Sequence, residues 1–195
     1  MGRSQFDSEG PWFSGVSVKA TLAVINRMQA EEVIGKYAIG GAVGATFYLE
    51  PSATLVIDIF VALKSPAESS LLTLAPLYSY LSERGCKSEK EHMVIEGWPV
   101  QFLPARDAPD EEALQQAVET ELEGVPTRVI SAEHLVAIAL RTARAKDFAR
   151  ILQFIESGVL DAAKLDAILQ RHGLVEKWDQ FGVKFLRGSE PSDKP

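Results

Sequence analysis

Cysteine is almost absent from this chain. Cys86 is the only one in 195 residues, so no intramolecular disulfide can form. A reducing, cytoplasmic location is the expectation. Long apolar runs are missing as well. No stretch of about 18 apolar residues occurs, which argues against a helical membrane span. Met1 to Gly10 lacks the basic-then-apolar order of a secretory leader. Histidine is scarce, and His92, His134 and His172 stand far apart, without metal-ligand spacing. Positive charge is in deficit: 20 Lys and Arg against 27 Asp and Glu give a net charge of −7. That balance excludes a broad attraction to bulk DNA and leaves room only for a local basic patch. No P-loop is present, because Gly41 stands where Gly35-x4-Gly40 would need a lysine. The dinucleotide fingerprint is also missing.

What remains is an ordinary globular composition, 46% hydrophobic and 24% charged, long enough to bury a core without staples. The pattern divides it. Residues 1–15 read as an N-terminal extension and 188–195 as a polar tail, both frayed. Trp12 and Phe13 in the extension pack back on the domain or mark a partner surface. Residues 16–130 read as an α/β domain. Apolar residues recur at helical spacing from Val16 to Met28, and Tyr37-Ala38-Ile39 is a short apolar run. Ala42 to Tyr48 reads as a short helix, and Pro51 starts a loop. Leu55 to Leu63 reads as a strand buried on both faces. Leu71 to Arg84 reads as an amphipathic helix stopped by Gly85. Met93 to Ile95 and Pro99 to Leu103 flank Glu96-Gly97-Trp98 as a hairpin. Asp110 can cap a helix to about Glu121, and Val125 to Ile130 is a strand candidate. Residues 131–187 are helical: Ser131 and Asp161 are N-cap candidates, Gly158 and Gly173 are stops, and Val175 to Phe185 is a last helix.

Three pieces stand in a telling order. Ile39-Gly40-Gly41 ends an apolar strand in two glycines before a helix, which lets backbone approach a ligand and offers free N–H groups to phosphate. Thr54 to Val61 sets Asp58 inside an apolar strand. Val100-Gln101-Phe102-Leu103-Pro104 is a later strand with a polar second residue.

This set resembles the nucleotidyltransferase superfamily, in particular the minimal, AbiEii-like branch of bacterial toxin–antitoxin and phage-defence systems. The family pattern is an apolar residue, Gly, then Gly or Ser, an Asp-x-Asp strand, and a third Asp on a later strand. Val129 to Leu135 followed by Arg144-Ala145-Lys146-Asp147 also looks like that branch. The resemblance implies an α+β fold, with a small mixed sheet flanked by helices and then a C-terminal helical bundle. It implies nucleotide contacts at Gly40, Gly41, Arg144, Lys146 and Asp147, and Mg²⁺ held by carboxylates. The overlay puts Val56 at the first aspartate, Asp58 at the second and Gln101 at the third. Only Asp58 remains as catalytic and metal-binding residue. Valine offers no ligand, and neutral glutamine cannot act as the base. Glu50 and Glu96 are the alternative carboxylates. Losing two of three should raise the barrier by about 4 kcal/mol or more.

Three functions follow. The first is a catalytically impaired fold member that binds a nucleotide, an RNA end or a protein partner in the old cleft. The second is an active Mg²⁺-dependent enzyme using Asp58 and unusual ligands. The third is an interaction module of a two-protein regulatory pair. A homodimer is among the expectations, since the C-terminal half is helical and apolar.

Overall fold

The computed structural model describes residues 18–50, 56–63 and 73–186. The extension 1–15, the tail 188–195 and the start of the loop at Pro51 lie outside the described residues. The chain forms two compact units, Met1–Ser131 and Ala132–Pro195.

The first unit runs α1 (Val18–Ala30), β1 (Tyr37–Ile39), α2 (Gly41–Ala45), β2 (Ile57–Val61), α3 (Ala75–Glu83), β3 (Lys87–Glu89), β4 (His92–Ile95), β5 (Trp98–Pro104), α4 (Ala108–Gln115), β6 (Val118–Leu122) and β7 (Val125–Val129). The described strands form one mixed sheet in the order β3-β4-β5-β2-β1-β7-β6. Strands β1 and β2 are antiparallel, while β2 with β5 and β1 with β7 are parallel. The mixed α+β architecture is the one the resemblance implied.

One face of the sheet carries the core. Ile57, Ile59 and Val61 alternate along β2 and pack with Tyr37, Ile39, Val100 and Phe102. Helix α1 covers them with Val18, Leu22, Ile25 and Met28, spaced three or four apart on one side. Leu22, Ile25 and Met28 are fully buried, and each contributes roughly 1.5–3 kcal/mol of transfer free energy. Thr21 joins that face because its hydroxyl donates to the Ile95 carbonyl at 2.9 Å. Helix α3 adds Leu77 and Leu81. It is tied to the end of α1 where the Tyr80 hydroxyl donates to Glu31 at 2.8 Å and Arg84 lies 3.5 Å over the Tyr80 ring.

Two hairpins share one turn chemistry. Glu96-Gly97 joins β4 to β5 with φ of 50° and 85°, and Glu123-Gly124 joins β6 to β7 with φ of 52° and 75°. Positive φ at both central residues matches the right-handed twist of the strands. The second hairpin corrects the sequence reading of a helix reaching Glu121. The helix is capped by Asp107, which accepts from the Asp110 N–H at 3.1 Å, and it ends at Gln115. Residues 118–122 instead pair with β7 over their whole length. Strand β3 was not foreseen; all three of its residues are exposed, so it carries no apolar alternation.

The second unit is helical: α5 (Ala132–Thr142), α6 (Ala145–Ser157), α7 (Ala162–Arg171) and α8 (Val175–Phe185). Gly158 ends α6 in the left-handed conformation, and Asp161 caps α7 by accepting from the Lys164 N–H at 3.0 Å. Both matched the sequence reading. Ile151 and Phe154 are the buried apolar residues of α6, and Leu152 and Ile155 are half-buried. Phe148 packs against Phe181 and Phe185 at ring separations of 5.8 and 5.2 Å. Buried Glu133 receives the Lys164 ammonium at 2.9 Å. No helix among the described residues is long and apolar enough to cross a membrane.

Candidate functional site

The other face of β2 carries the polar residues. Strand alternation puts Val56, Asp58 and Phe60 opposite the core. Asp58 is half-buried between buried Ile57 and Ile59. Parallel pairing sets Asp58 directly beside Gln101 of β5, with strands about 4.8 Å apart. The register therefore brings together Val56, Asp58 and Gln101, the three positions the sequence pattern singled out.

The glycine turn closes on the same place. The Gly40 N–H donates to the Asp58 carbonyl at 2.9 Å. A Cβ at Gly40 would stand 2.5 Å from the Phe60 ring and 3.3 Å from Ile130. Phe60 and Ile130 thus fill the space a side chain would need. No sequence signal pointed to them except the glycine itself. Gly41 has φ of +57°, and a Cβ there would overlap Oδ2 of Asp58. Both glycines are required, one by packing and one by conformation as well. Helix α2 then begins with the Gly44 N–H donating to the Gly40 carbonyl at 2.7 Å. It is shorter than the expected Ala42 to Tyr48. Past it, the Tyr48 hydroxyl donates to the Ile130 carbonyl at 3.1 Å and fastens the segment to the end of β7.

These residues do not fit a divalent-metal site. Magnesium takes an octahedron of hard oxygens, and a two-metal site clamps both attacking and leaving oxygens. Asp58 is one carboxylate, Val56 has no ligand atom, and the Gln101 amide is neutral. Among the described residues no group of three or more His, Cys, Asp or Glu stands where it could hold a metal ion. Glu96 lies exposed in the β4–β5 turn, five residues before Gln101, or roughly 16 Å of strand away. Glu50 is exposed at the edge of the described segment.

Arg144, Lys146 and Asp147 belong to the second unit. Arg144 is the N-cap of α6, and Asp147 is almost fully buried beside it. The Asp147 carboxylate accepts from the Arg144 backbone N–H at 3.2 Å and from its guanidinium at 2.6 and 3.1 Å. Arg150 approaches the same carboxylate at 3.9 Å. Lys146 is exposed. Asp147 thus starts the helix and orients Arg144, a capping role.

A second polar cluster lies on the core side of the sheet, near its far edge. Tyr37, Thr127 and Thr120 form a row across β1, β7 and β6. The Tyr37 hydroxyl donates to Asn26 at 2.7 Å and lies 3.2 Å from the Thr127 hydroxyl, while Asn26 donates to the Pro126 carbonyl at 2.9 Å. Burial pushes the Tyr37 phenol above its ordinary value. A cavity of about 520 Å³ opens beside this row, bordered by Gln29, Glu119 and Glu121.

No protein-family model matches the chain, and no curated protein matches it. Solved structures do. A solution structure of the antibiotic-resistance factor ANT(2'')-Ia superposes with a TM-score of 0.50 at 18% identity, over 84% of this chain and 97% of that one. A crystal structure of an antigenic nucleotidyltransferase-like protein from Paracoccidioides brasiliensis gives 0.50 at 17% identity, over 85% of this chain and 90% of that one. At such identity the likeness is one of backbone architecture, and it shows that this chain has a nucleotidyltransferase-like fold.

Proposed function

We propose that this protein binds a nucleotide in the cleft between β2, β5 and α2 and is impaired in transferring it. The observation that carries the reading is the register. Val56, Asp58 and Gln101 share one face, and only one of them is a carboxylate. Binding needs backbone approach and donors. The Gly40 N–H is taken by the Asp58 carbonyl, so the donors in this reading are the N–H groups at the start of α2 that follow it. Phosphoryl transfer needs positioned negative charge to hold cations, and the described residues supply too little of it. Arg144 and Lys146 in the helical unit are a second candidate phosphate-binding site by themselves, with Asp147 holding Arg144 in place. An RNA end presents the same terminal groups and is the next ligand. The AbiEii-like, toxin–antitoxin setting belongs to the proposal on the Arg144 to Asp147 stretch.

Calorimetry with ATP, GTP, CTP and UTP, with and without Mg²⁺, tests it. The expected result is binding of at least one nucleotide with an affinity that Mg²⁺ changes by less than about threefold. A radiolabelled transfer assay should show no robust turnover. Failure to bind any of them would leave only a protein-interaction role for the cleft. Robust Mg²⁺-dependent turnover, abolished by Asp58→Ala, would make the protein an active enzyme with unusual ligands.

A further inference from the structure

The sheet has two outer strands, and they are protected very differently. Strand β3 is three residues long, fully exposed, and carries Lys87 at its start. Short length and a lysine are common ways to blunt an edge. Strand β6 is five residues, Val118-Glu119-Thr120-Glu121-Leu122, without lysine or proline. It pairs with β7 over that whole length, and among the described residues nothing pairs with its other side. Val118 is 46% exposed, and both glutamates are exposed. Alternate residues of such an edge point N–H and C=O groups outward as a template for another strand.

Charge decides what the template accepts. Glu119 and Glu121 project to the same side of β6. Arg128 stands opposite Glu119 in register. Its guanidinium, however, turns to the carbonyls of Gln115 and Ala117 at 3.3 and 3.2 Å, closing the end of α4. Neither glutamate has an ion-pair partner among the described residues. A second copy of β6 is a poor occupant. Antiparallel pairing centred on Thr120 sets Glu119 against Glu121 of the other copy twice, and like charges directly opposite destabilise a pair. The cavity beside Thr120 and Thr127, edged by both glutamates, gives room for side chains of an incoming strand.

We infer that the β6 edge is a docking site for a partner protein that adds an extended segment with lysine or arginine at alternate positions. Backbone hydrogen bonds would hold the added strand, and the basic side chains would meet Glu119 and Glu121. The surface lies at the end of the sheet and on elements other than β2, β5 and α2, so it is independent of the nucleotide cleft.

The test uses the full chain and a fluorescein-labelled heptapeptide alternating threonine with lysine or arginine. Three controls accompany it: the same peptide N-methylated at alternate amides, a version with glutamate at the basic positions, and the Glu119→Lys/Glu121→Lys variant, checked for unchanged melting. Anisotropy should show binding of the basic peptide, weakened about tenfold or more by the double variant and by N-methylation. Amide resonances of residues 118–122 should shift on titration. Equal binding of the N-methylated peptide would reduce the effect to net charge and overturn the inference. So would equal binding by the double variant, shifts confined to other residues, or no binding of the basic peptide at all.

Discussion

The two faces of β2 differ in what they tolerate. Toward α1 and α3, Ile57, Ile59 and Val61 are all 0% exposed and belong to one continuous core. Toward α2, the same strand presents Val56, Asp58 and Phe60, with Asp58 half-buried beside Gln101. On the first face a residue is fixed by volume, because packed interiors penalise both voids and excess. On the second face a valine and a glutamine stand beside one half-buried carboxylate, outside that core. The scaffold is therefore specified by the packed face, and the face toward α2 can be altered separately.

The sharpest way to break that contrast is to cut into the packed face. Ile59→Ala should destabilise the protein by about 2–5 kcal/mol, read from the denaturation midpoint at unchanged m. A loss below about 1 kcal/mol would mean that β2 is not the centre of the core.

Gly41→Ala probes the join between the faces. The substitution meets a positive φ and the Asp58 carboxylate together, and should lose about 1–3 kcal/mol. A variant as stable as the parent would show that Asp58 is not seated on the turn.

Tyr37→Phe removes a hydroxyl from the polar row on the core side and should lose about 1 kcal/mol. It should also change the response to alkali. Burial, the largest cause, raises the Tyr37 phenol, so in the folded state it keeps its proton when the unfolded chain has begun to lose it. The native state then binds more protons, and this contribution is full below about pH 10 and lost as pH rises through the raised native value. Tyr37→Phe should therefore shallow the alkaline fall in stability; an unaltered pH profile would assign the fall to other groups.

The smallest expected change in stability, a loss of at most about 1 kcal/mol from the like charges set beside Asp58, belongs to the Val56→Asp/Gln101→Asp double variant. Its informative readout is Mn²⁺ binding followed by electron paramagnetic resonance. Three carboxylates on one face should bind Mn²⁺ more tightly than the parent does. No gain would mean that positions 56, 58 and 101 do not converge on a common point.

Much of this was legible before any coordinates. The apolar spacing of α1, the paired glycines after Ile39, the Asp58 strand and the caps at Asp161 and Gly158 are local signals, and each formed the element it announced. The stretch 118–122 misled because glutamates suit helices. Its alternation of Val118, Thr120 and Leu122 with Glu119 and Glu121 was the truer signal, and the Glu-Gly turn after it repeats the one at Glu96-Gly97. The resemblance offers Asp147 as a nucleotide contact, and only the structure shows it at the start of α6, where its carboxylate accepts from the Arg144 backbone N–H.

By itself the sequence determined most of the helices and strands, β3 and β6 excepted, because those elements depend on residue type and near-neighbour spacing. Tertiary structure alone decided that Gln101 lies beside Asp58, that Phe60 fills the space left by Gly40, and that β6 forms an edge with two uncompensated glutamates. Those facts are strand registers and long-range contacts, set by how the whole sheet packs its core face, and no local stretch of sequence encodes them.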